Sequence, residues 1–173
     1  MNNIIYVHYI NNHYILTYHD FKTECFIGKN GLTKEKEEGD LKTPIGKFKL
    51  GIAFGIHKKE KIKIDPSFTY KKINKNLYWV DDINSVHYNK LVDITKVNKD
   101  WTSAESLIEN KNPYEYAIEI KTNPNNIKGK GSAIFLHCTN KKYTAGCIAI
   151  PREKMIELLS LINRNTEIII ENE

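Results

Sequence analysis

The sequence predicts a mostly β domain with one helix near its C-terminus, on two observations. First, short runs rich in β-branched and aromatic residues, such as Ile4–Ile10 and Tyr14–Tyr18, recur between turn signals along most of the chain. Second, a single late segment places Met155, Leu159 and Ile162 on one face of a helix. Because strands outnumber this one helix, we expect a sheet on which the helix packs.

The first half of the chain is interpreted as strands joined by turns. Asn-Gly and Thr-Pro pairs mark the sharpest turns, since each favours a defined turn geometry. The predicted segments, in order, are a turn at residues 11–13, a strand over 24–28, a turn over 29–31, a loop or short solvated helix over 34–40, a turn over 43–46, a half-buried strand over 47–53 and a polar surface excursion over 55–76.

The second half alternates short strands with one predicted helix before the C-terminal one. Trp101–Ile108 is predicted to be a short helix with Asp100 as a possible N-cap. Pro151 stands where proline commonly opens a helix, and residues 163–165 end that helix. The predicted strands are Leu77–Val80, Tyr114–Lys121, an apolar run from Ser132 that ends at His137, Gly146–Ile150 and Thr166–Ile170.

Composition indicates one folded domain over residues 1–173. Hydrophobic residues make up 40% of the chain and charged residues 27%, close to ordinary globular values. The net charge of +5 is mild and scattered, and no basic and aromatic module for nucleic acid is recognisable. No run approaches the length of a membrane span, and the first residues are too short an apolar run for a signal peptide. We expect a monomer.

The three cysteines, Cys25, Cys138 and Cys147, favour free thiols over a disulfide framework or a zinc site. Their number is odd, and no two of them have the close spacing of structural zinc ligands. Cys25 and Cys138 are expected to be buried, because unpaired cysteine packs like a small apolar residue. Cys147 has a different setting, because it follows Gly146 and comes ten residues after His137.

A cysteine and a histidine at this spacing can form a nucleophile and its base. The imidazole can accept the thiol proton and hold an ion pair with the thiolate, the reactive form. Gly146 permits unusual backbone dihedrals and leaves room for its N–H and that of Cys147 to face an oxyanion. A lone Cys–His pair is more often structural than catalytic, so spacing alone leaves both interpretations open.

Three longer motifs add to this pair. They are TAGCIAI at residues 144–150, GSAIFLH at residues 131–137 and GDLKTPIGKF at residues 39–48. In this order they resemble the L,D-transpeptidase (YkuD) catalytic domain family: its nucleophile motif, the strand ending in its base histidine, and its Gly-Asp-x-x-Thr-Pro-x-Gly turn. The resemblance runs from about Gly28 to the C-terminus and extends to Tyr88 with Asn89 and to Trp101 with Glu105.

The resemblance implies a β-sandwich or barrel-like domain with its C-terminal helix packed on the sheet. It also implies that Cys147 attacks the bond before the terminal D-alanine of a peptidoglycan stem peptide while His137 moves the proton. An amine or water then takes the acyl group, and a backbone carbonyl orients the histidine. No metal or cofactor is implied. The family's chemistry belongs to the cell envelope, although the missing signal leaves a cytoplasmic location open.

Substrate contacts are expected from Thr144, Ala145 and Tyr143 near the nucleophile, and from Tyr88 and Asn89. The chain departs from the family pattern in two ways. Ala149 stands where many members have an arginine, so a substrate carboxylate is held otherwise or not held, and the loop from histidine to cysteine is short. Two other functions stay open: a cysteine amidase or protease with another substrate, and a wall-binding module without activity.

Overall fold

The computed structural model describes residues 3–172, and strands dominate it. Strand accounts for 38% of the chain and helix for 9%, which confirms the mostly β prediction. The strands are β1 (Ile4–Ile10), β2 (His13–Tyr18), β3 (Phe21–Cys25), β4 (Leu32–Thr33), β5 (Thr43–Pro44), β6 (Gly46–Gly55), β7 (Tyr70–Lys72), β8 (Leu77–Val80), β9 (Leu91–Asp93), β10 (Ala104–Ser106), β11 (Tyr116–Ile120), β12 (Phe135–Cys138), β13 (Ile148–Ile150) and β14 (Glu167–Ile170). The α-helix is α1 (Arg152–Leu161), and Lys59–Lys61 and Pro113–Glu115 form short 3-10 turns.

The main sheet is nearly closed into a barrel. Its strand order is β13-β12-β11-β6-β14-β1-β2-β3, and β7 also pairs with β6. Just beyond the end of β3, Phe26 exchanges two backbone hydrogen bonds with Ala149 of β13, at 2.8 and 2.9 Å between nitrogen and oxygen. The two edges of the sheet therefore meet, as the family resemblance implied. This closure also ties the nucleophile region to the first third of the chain.

Helix α1 covers one face of the barrel-like sheet, as predicted. Its apolar side chains Met155, Leu158 and Leu159 are at most 2% exposed and share a core with Leu136 and Ile150. Burial of each such side chain is worth about 1.5–3 kcal/mol, more than intrinsic helix propensity contributes. The helix starts directly after Pro151, and no helix among residues 3–172 combines the length and apolar character needed to cross a membrane.

The prediction of a helix over Trp101–Ile108 is wrong. Ala104–Ser106 instead forms strand β10, which pairs antiparallel with β8 in a small three-stranded sheet, β10-β8-β9. Asp100 caps no helix; its carboxylate accepts hydrogen bonds from the Ser85 hydroxyl and the Val86 N–H, at 2.5 and 2.8 Å. Strand pairing of this segment overrides its local helical pattern.

Three further segments differ from the predictions in detail. Thr43–Pro44 is a short strand paired with β4 and not a turn. The polar excursion over residues 55–76 contains β7, so it is partly built into the main sheet. The strand predicted over residues 24–28 is shifted: β3 ends at Cys25, and Phe26 and Gly28 continue only as single bridges to Ala149 and Thr144.

Candidate active site

His137 and Cys147 line one cavity of about 280 Å³. His137 belongs to β12, and Cys147 directly precedes β13, which runs parallel to β12 with Leu136 opposite Ile148. Because neighbouring parallel strands lie about 4.8 Å apart, this register brings the two residues to one wall of the cavity. The prediction that a short loop carries the chain from one to the other is therefore consistent with the topology.

The His137 imidazole is buried and oriented by the backbone. Its Nδ1 lies 2.9 Å from the carbonyl oxygen of Cys138, and a carbonyl only accepts, so Nδ1 carries the hydrogen. The edge of the Tyr114 ring packs against it, with ring centroids 5.4 Å apart. Burial lowers the pKa of His137, an effect that its bond to Cys138 partly opposes. The imidazole is therefore neutral at pH 7, with Nε2 available as a proton acceptor.

The Cys147 thiol is also buried, at 8% exposure for the residue. It donates a hydrogen bond to the Ala133 carbonyl at 3.2 Å, and it accepts one from the Phe135 N–H at 3.2 Å. Burial raises the pKa of Cys147 to about 12, with a further increase from the Glu105 carboxylate. The raised pKa of the thiol and the lowered pKa of the imidazole both disfavour a thiolate–imidazolium ion pair, in contrast to the sequence-based expectation.

The turn before the nucleophile is held by Thr144. The Thr144 hydroxyl donates to the Cys147 carbonyl at 2.6 Å and accepts the Gly146 N–H at 3.1 Å. This bond corrects the expectation that the Gly146 N–H faces an oxyanion, because that donor is already in use. The Cys147 N–H makes no hydrogen bond to any described residue and stays available.

Gly146 is required by the shape of this turn. Its φ is +141°, a region that side chains of L-residues rarely adopt. A Cβ at this position would lie 2.9 Å from the Lys42 carbonyl oxygen and 3.1 Å from Cδ1 of Ile134. Both the backbone angle and the close approach of Lys42 therefore exclude a larger residue.

The Thr43 side chain also holds this turn in place, through a hydrogen bond to Gly146. Its fully buried hydroxyl donates to the Gly146 carbonyl at 2.7 Å and accepts the Gly28 N–H at 2.9 Å. Sequence analysis connected Thr43 only with a local turn and missed this contact across the fold. The motif at residues 39–48 is thus part of the site because it holds the nucleophile turn in place.

The family model "YkuD: L,D-transpeptidase catalytic domain" matches residues 2–170 of the chain. The chain belongs to the L,D-transpeptidase (YkuD) catalytic domain family. No curated protein sequence matches the chain.

Two solved structures are similar to this L,D-transpeptidase domain. L,D-transpeptidase 1 of Mycobacterium tuberculosis is 10% identical with a TM-score of 0.43, and the match covers 96% of this chain and 60% of that one. L,D-transpeptidase 3 of the same organism, in complex with a faropenem-derived adduct, is 10% identical with a TM-score of 0.45, covering 98% and 60%. The chain thus spans about 60% of the length of each of these proteins.

Two residues expected to touch substrate lie behind the cavity of the L,D-transpeptidase domain. The Tyr88 hydroxyl bonds to the Glu38 carboxylate at 2.5 Å and to the Gly131 N–H at 3.0 Å. Neither Tyr88 nor Asn89 lines the cavity. The expected substrate contact is therefore corrected to a supporting role.

The Asn89 side chain fixes the loop that holds the thiol. Its oxygen accepts the Trp79 indole N–H and the Ala133 N–H, both at 3.1 Å. Ala133 has a φ of +53°, and its carbonyl accepts the Cys147 thiol. Asn89 therefore acts on the nucleophile indirectly, through the conformation of Ala133.

The short loop after His137 contributes to the lining of the cavity. Thr144, Ala145 and Tyr143 all line the cavity, and Tyr143 is 72% exposed. The side chains of Ala145 and Tyr143 are free to meet a ligand, whereas the Thr144 hydroxyl is engaged in the turn. Ala149, which replaces the arginine of many L,D-transpeptidases, also lines the cavity and leaves no cation at that position.

Four charged residues that sequence analysis did not assign to the site also line the cavity: Lys36, Glu38, Asp81 and Glu105. The Tyr114 hydroxyl donates to the Glu105 carboxylate, and burial raises the pKa of Glu105. One oxygen of Asp81 is buried without a hydrogen-bond partner among residues 3–172. Within those residues, no cluster of His, Cys, Asp and Glu is arranged to hold a metal ion.

Proposed function

We propose that the chain catalyses acyl transfer from peptidoglycan stem peptides through a thioester on Cys147. The proposal rests on family membership together with one observation: the free thiol and a neutral, oriented imidazole line the same cavity. In covalent catalysis of this kind, a neighbouring base activates the nucleophile. We infer a place in the cell envelope, where such substrates occur, and a single domain over residues 1–173.

The reaction begins with transfer of the Cys147 proton to Nε2 of His137 as the sulfur attacks the substrate carbonyl. The bond to the terminal D-alanine breaks, and the leaving amine takes the proton from the imidazolium. An amine of a second stem peptide, or water, then attacks the thioester and frees the thiol. Because both groups are neutral at rest, proton transfer accompanies the attack and no ion pair precedes it.

Support for a proton shuttle at His137 comes from its hydrogen bond. The Cys138 carbonyl fixes the ring and places the hydrogen on Nδ1, so that Nε2 is the nitrogen left to accept a proton. The same carbonyl stabilises the imidazolium that forms during the attack. A backbone carbonyl thus takes the orienting part that an acidic side chain plays in other triads.

A second candidate, a wall-binding module without activity, is favoured by the state of the thiol. Cys147 is buried and its pKa is raised to about 12, which are properties of an inert cysteine. The acyltransferase and the inactive module differ in what happens at Cys147 when a peptide enters the cavity. A bound peptide brings its own electrophile to the sulfur and replaces water at the open side of the cavity.

Mass spectrometry of a disaccharide-tetrapeptide incubated with the protein tests the proposal. Loss of D-alanine with a dimeric product indicates cross-linking, and loss without a dimer indicates carboxypeptidase activity. A carbapenem should add its mass once to the wild type and not to Cys147→Ala, while Cys138→Ala should still acquire it. No D-alanine release and no adduct, with binding to the wall intact, would establish the inactive module instead.

A further inference from the structure

Lys36 is the one described residue that brings a buried ammonium into the cavity. It lies between β4 and β5, and its side chain is only 9% exposed. The other lysine on the wall, Lys142, is exposed at the rim. Because burial of an unpaired ammonium costs free energy, we expect an anionic partner for Lys36 and a function for its charge.

Asp40 is the anionic partner of the Lys36 ammonium. The Asp40 carboxylate accepts the ammonium and is held in turn by the backbone N–H groups of Glu37 and Lys42 at 2.9 and 2.8 Å. Burial raises the pKa of Asp40, but these bonds outweigh it, so the pKa stays below its ordinary value and the group is charged. The Asp40 carboxylate is thus held in place by the backbone, and it fixes the position of the Lys36 ammonium.

The Lys36 ammonium has more N–H donors than acceptors. A lysine carries three N–H donors, and Asp40 is its only hydrogen-bond acceptor among residues 3–172. Its other two N–H groups make no hydrogen bond to residues 3–172, although the carboxylates of Glu38, Asp81 and Glu105 line the same cavity. Such a group is suited to a ligand that develops negative charge.

The ammonium also lies beside the nucleophile turn. Its Nζ is 3.7 Å from the position that a Cβ on Gly146 would occupy, and its stem passes over Gly131, where a Cβ would lie 2.8 Å from Cγ of Lys36. The positive charge acts on the sulfur as well, because it opposes the burial that raises the pKa of Cys147.

The backbone near Cys147 supplies only one of the two N–H donors that an oxyanion site commonly uses. The Gly146 N–H is bound to Thr144, so the Cys147 N–H is the one backbone donor of the pair that stays available. Oxyanion sites commonly use two donors, and loss of one costs about 10²–10³ in rate. The position of Lys36 fits the missing second donor.

We propose that the Lys36 ammonium and the Cys147 N–H together bind the oxyanion formed when Cys147 attacks the substrate carbonyl. As the S–C bond forms, the electron pair of the carbonyl moves onto oxygen, where the ammonium and the N–H neutralise the charge. Collapse returns the pair to the carbonyl and expels the amine, protonated by His137. This assignment rests on the proposed acyl transfer and makes Lys36 a catalytic residue.

The test compares Lys36→Met with Lys34→Met, an equal change of charge on an exposed residue of the same segment. We expect kcat for D-alanine release to fall about 10²-fold in Lys36→Met with KM changed less than about threefold. The rate of Cys147 alkylation by iodoacetamide at neutral pH should fall about tenfold, because a nearby cation stabilises the thiolate. Lys34→Met should match the wild type in both assays.

Two further variants separate catalysis from folding. Lys36→Met/Asp40→Asn removes the cation without leaving an unpaired buried carboxylate, and it should lose activity as Lys36→Met does while keeping the wild-type melting temperature within a few degrees. Lys36→Arg keeps the charge and should retain the wild-type pH profile of alkylation. Activity in the double variant equal to wild type would overturn the assignment.

Other outcomes are equally decisive. A raised KM with unchanged kcat in Lys36→Met would show that Lys36 holds a ground-state carboxylate, and the oxyanion role would be lost. If the wild type releases no D-alanine, the proposed function fails, but the alkylation profiles still decide whether Lys36 stabilises charge at Cys147. An alkylation rate that does not respond to Lys36→Met would then reject the inference as well.

Discussion

The two faces of strand β12 differ sharply in what surrounds them. Leu136 and Cys138 point into an aliphatic core beneath α1, whereas Phe135 belongs to a second cluster that also contains Cys147 and Tyr114. His137 lies on this second side, against the Tyr114 ring. Strand alternation alone thus separates adjacent residues into a supporting core and a reactive wall.

The comparison of Cys138 with Cys147 teaches that acidity does not mark the nucleophile. Burial raises the pKa of Cys138 to about 11 and that of Cys147 to about 12. Both residues line the cavity, but the two thiols differ in their neighbours. The Cys138 sulfur lies 3.6 Å from the Tyr116 carbonyl oxygen and belongs to the aliphatic core, whereas Cys147 packs in the second cluster with Phe135 and Tyr114. Placement relative to those neighbours, and not resting pKa, distinguishes them.

The largest effect should come from the imidazole on the reactive face. His137→Gln removes the proton acceptor, so we expect kcat to fall about 10²–10⁴-fold, the usual contribution of general acid–base catalysis. His57→Gln is the control, since His57 lies 2.9 Å from Glu115, away from the cavity lining. Steady-state release of D-alanine measures both variants. Equal rates for His137→Gln and His57→Gln would remove the distinction between the two faces.

Gly146→Ala should have the next largest effect. A Cβ there meets the Lys42 carbonyl oxygen at 2.9 Å, so the turn must shift, and a shift of about 1 Å at a nucleophile can cost about 10²-fold in rate. Gly129→Ala is a matched control, because Gly129 also has positive φ but no atom within 4 Å of its Cβ position. Carbapenem acylation rates should drop for Gly146→Ala and stay near wild type for Gly129→Ala.

Cys138→Ala should affect stability and leave chemistry nearly intact. The change removes a sulfur from a packed core at a cost of about 1–2 kcal/mol, while the Cys138 carbonyl that orients His137 is unaltered. Urea unfolding should show a lower free energy of unfolding, and kcat should stay within about threefold of wild type. A loss of activity as large as that of Cys147→Ala would show that both faces take part in the reaction.

The smallest effect should come from the surface pair between Glu115 and Arg152. Two hydrogen bonds of 2.6 and 2.7 Å from Arg152 lower the pKa of Glu115 to about 2 from 4.5. The unfolded carboxyl is protonated below about pH 4.5 but the folded one is not, so the stabilisation is present above that pH and is lost as the pH falls toward 2.

Glu115→Gln measures this contribution. The Arg152 side chain is 46% exposed and that of Glu115 18%, so solvent screens the pair, and the substitution should lower the free energy of unfolding at pH 7 by only about 1 kcal/mol. The difference between wild type and variant should shrink when urea unfolding is repeated at pH 3. A difference that grows on acidification would contradict the sign assigned to this carboxyl.

Much of the fold follows from local sequence patterns. The bounds predicted for Ile4–Ile10 and Leu77–Val80 agree with β1 and β8, and the apolar face of α1 was visible as a helical repeat. Ala104–Ser106 was misassigned because its strand character comes from pairing with β8, a partner that a local window does not contain. Local patterns thus fail where a distant strand decides the structure.

The site residues also fall into those that local sequence reveals and those that only the fold reveals. Cys147 and His137 stand out because their residue types carry chemistry and lie close in sequence. Thr43 and Lys36 act on residues more than 100 positions away, as the bond from Thr43 to Gly146 shows with a separation of 103. Tyr88 and Asn89 were noticed, but their place behind the cavity wall, where Tyr88 is buried and Asn89 binds the Ala133 N–H, is a property of the folded chain.

Closure of the barrel has a consequence for how the protein refolds. The turn before Cys147 is held by Thr43, which binds Gly146, and by the backbone of Ile27 and Lys29, which binds Thr144 beside the seam between Phe26 and Ala149. A chain that has formed α1 but not this seam carries a thiol without an aligned partner. Covalent capture by a β-lactam during refolding would therefore count only those molecules in which the two edges have met.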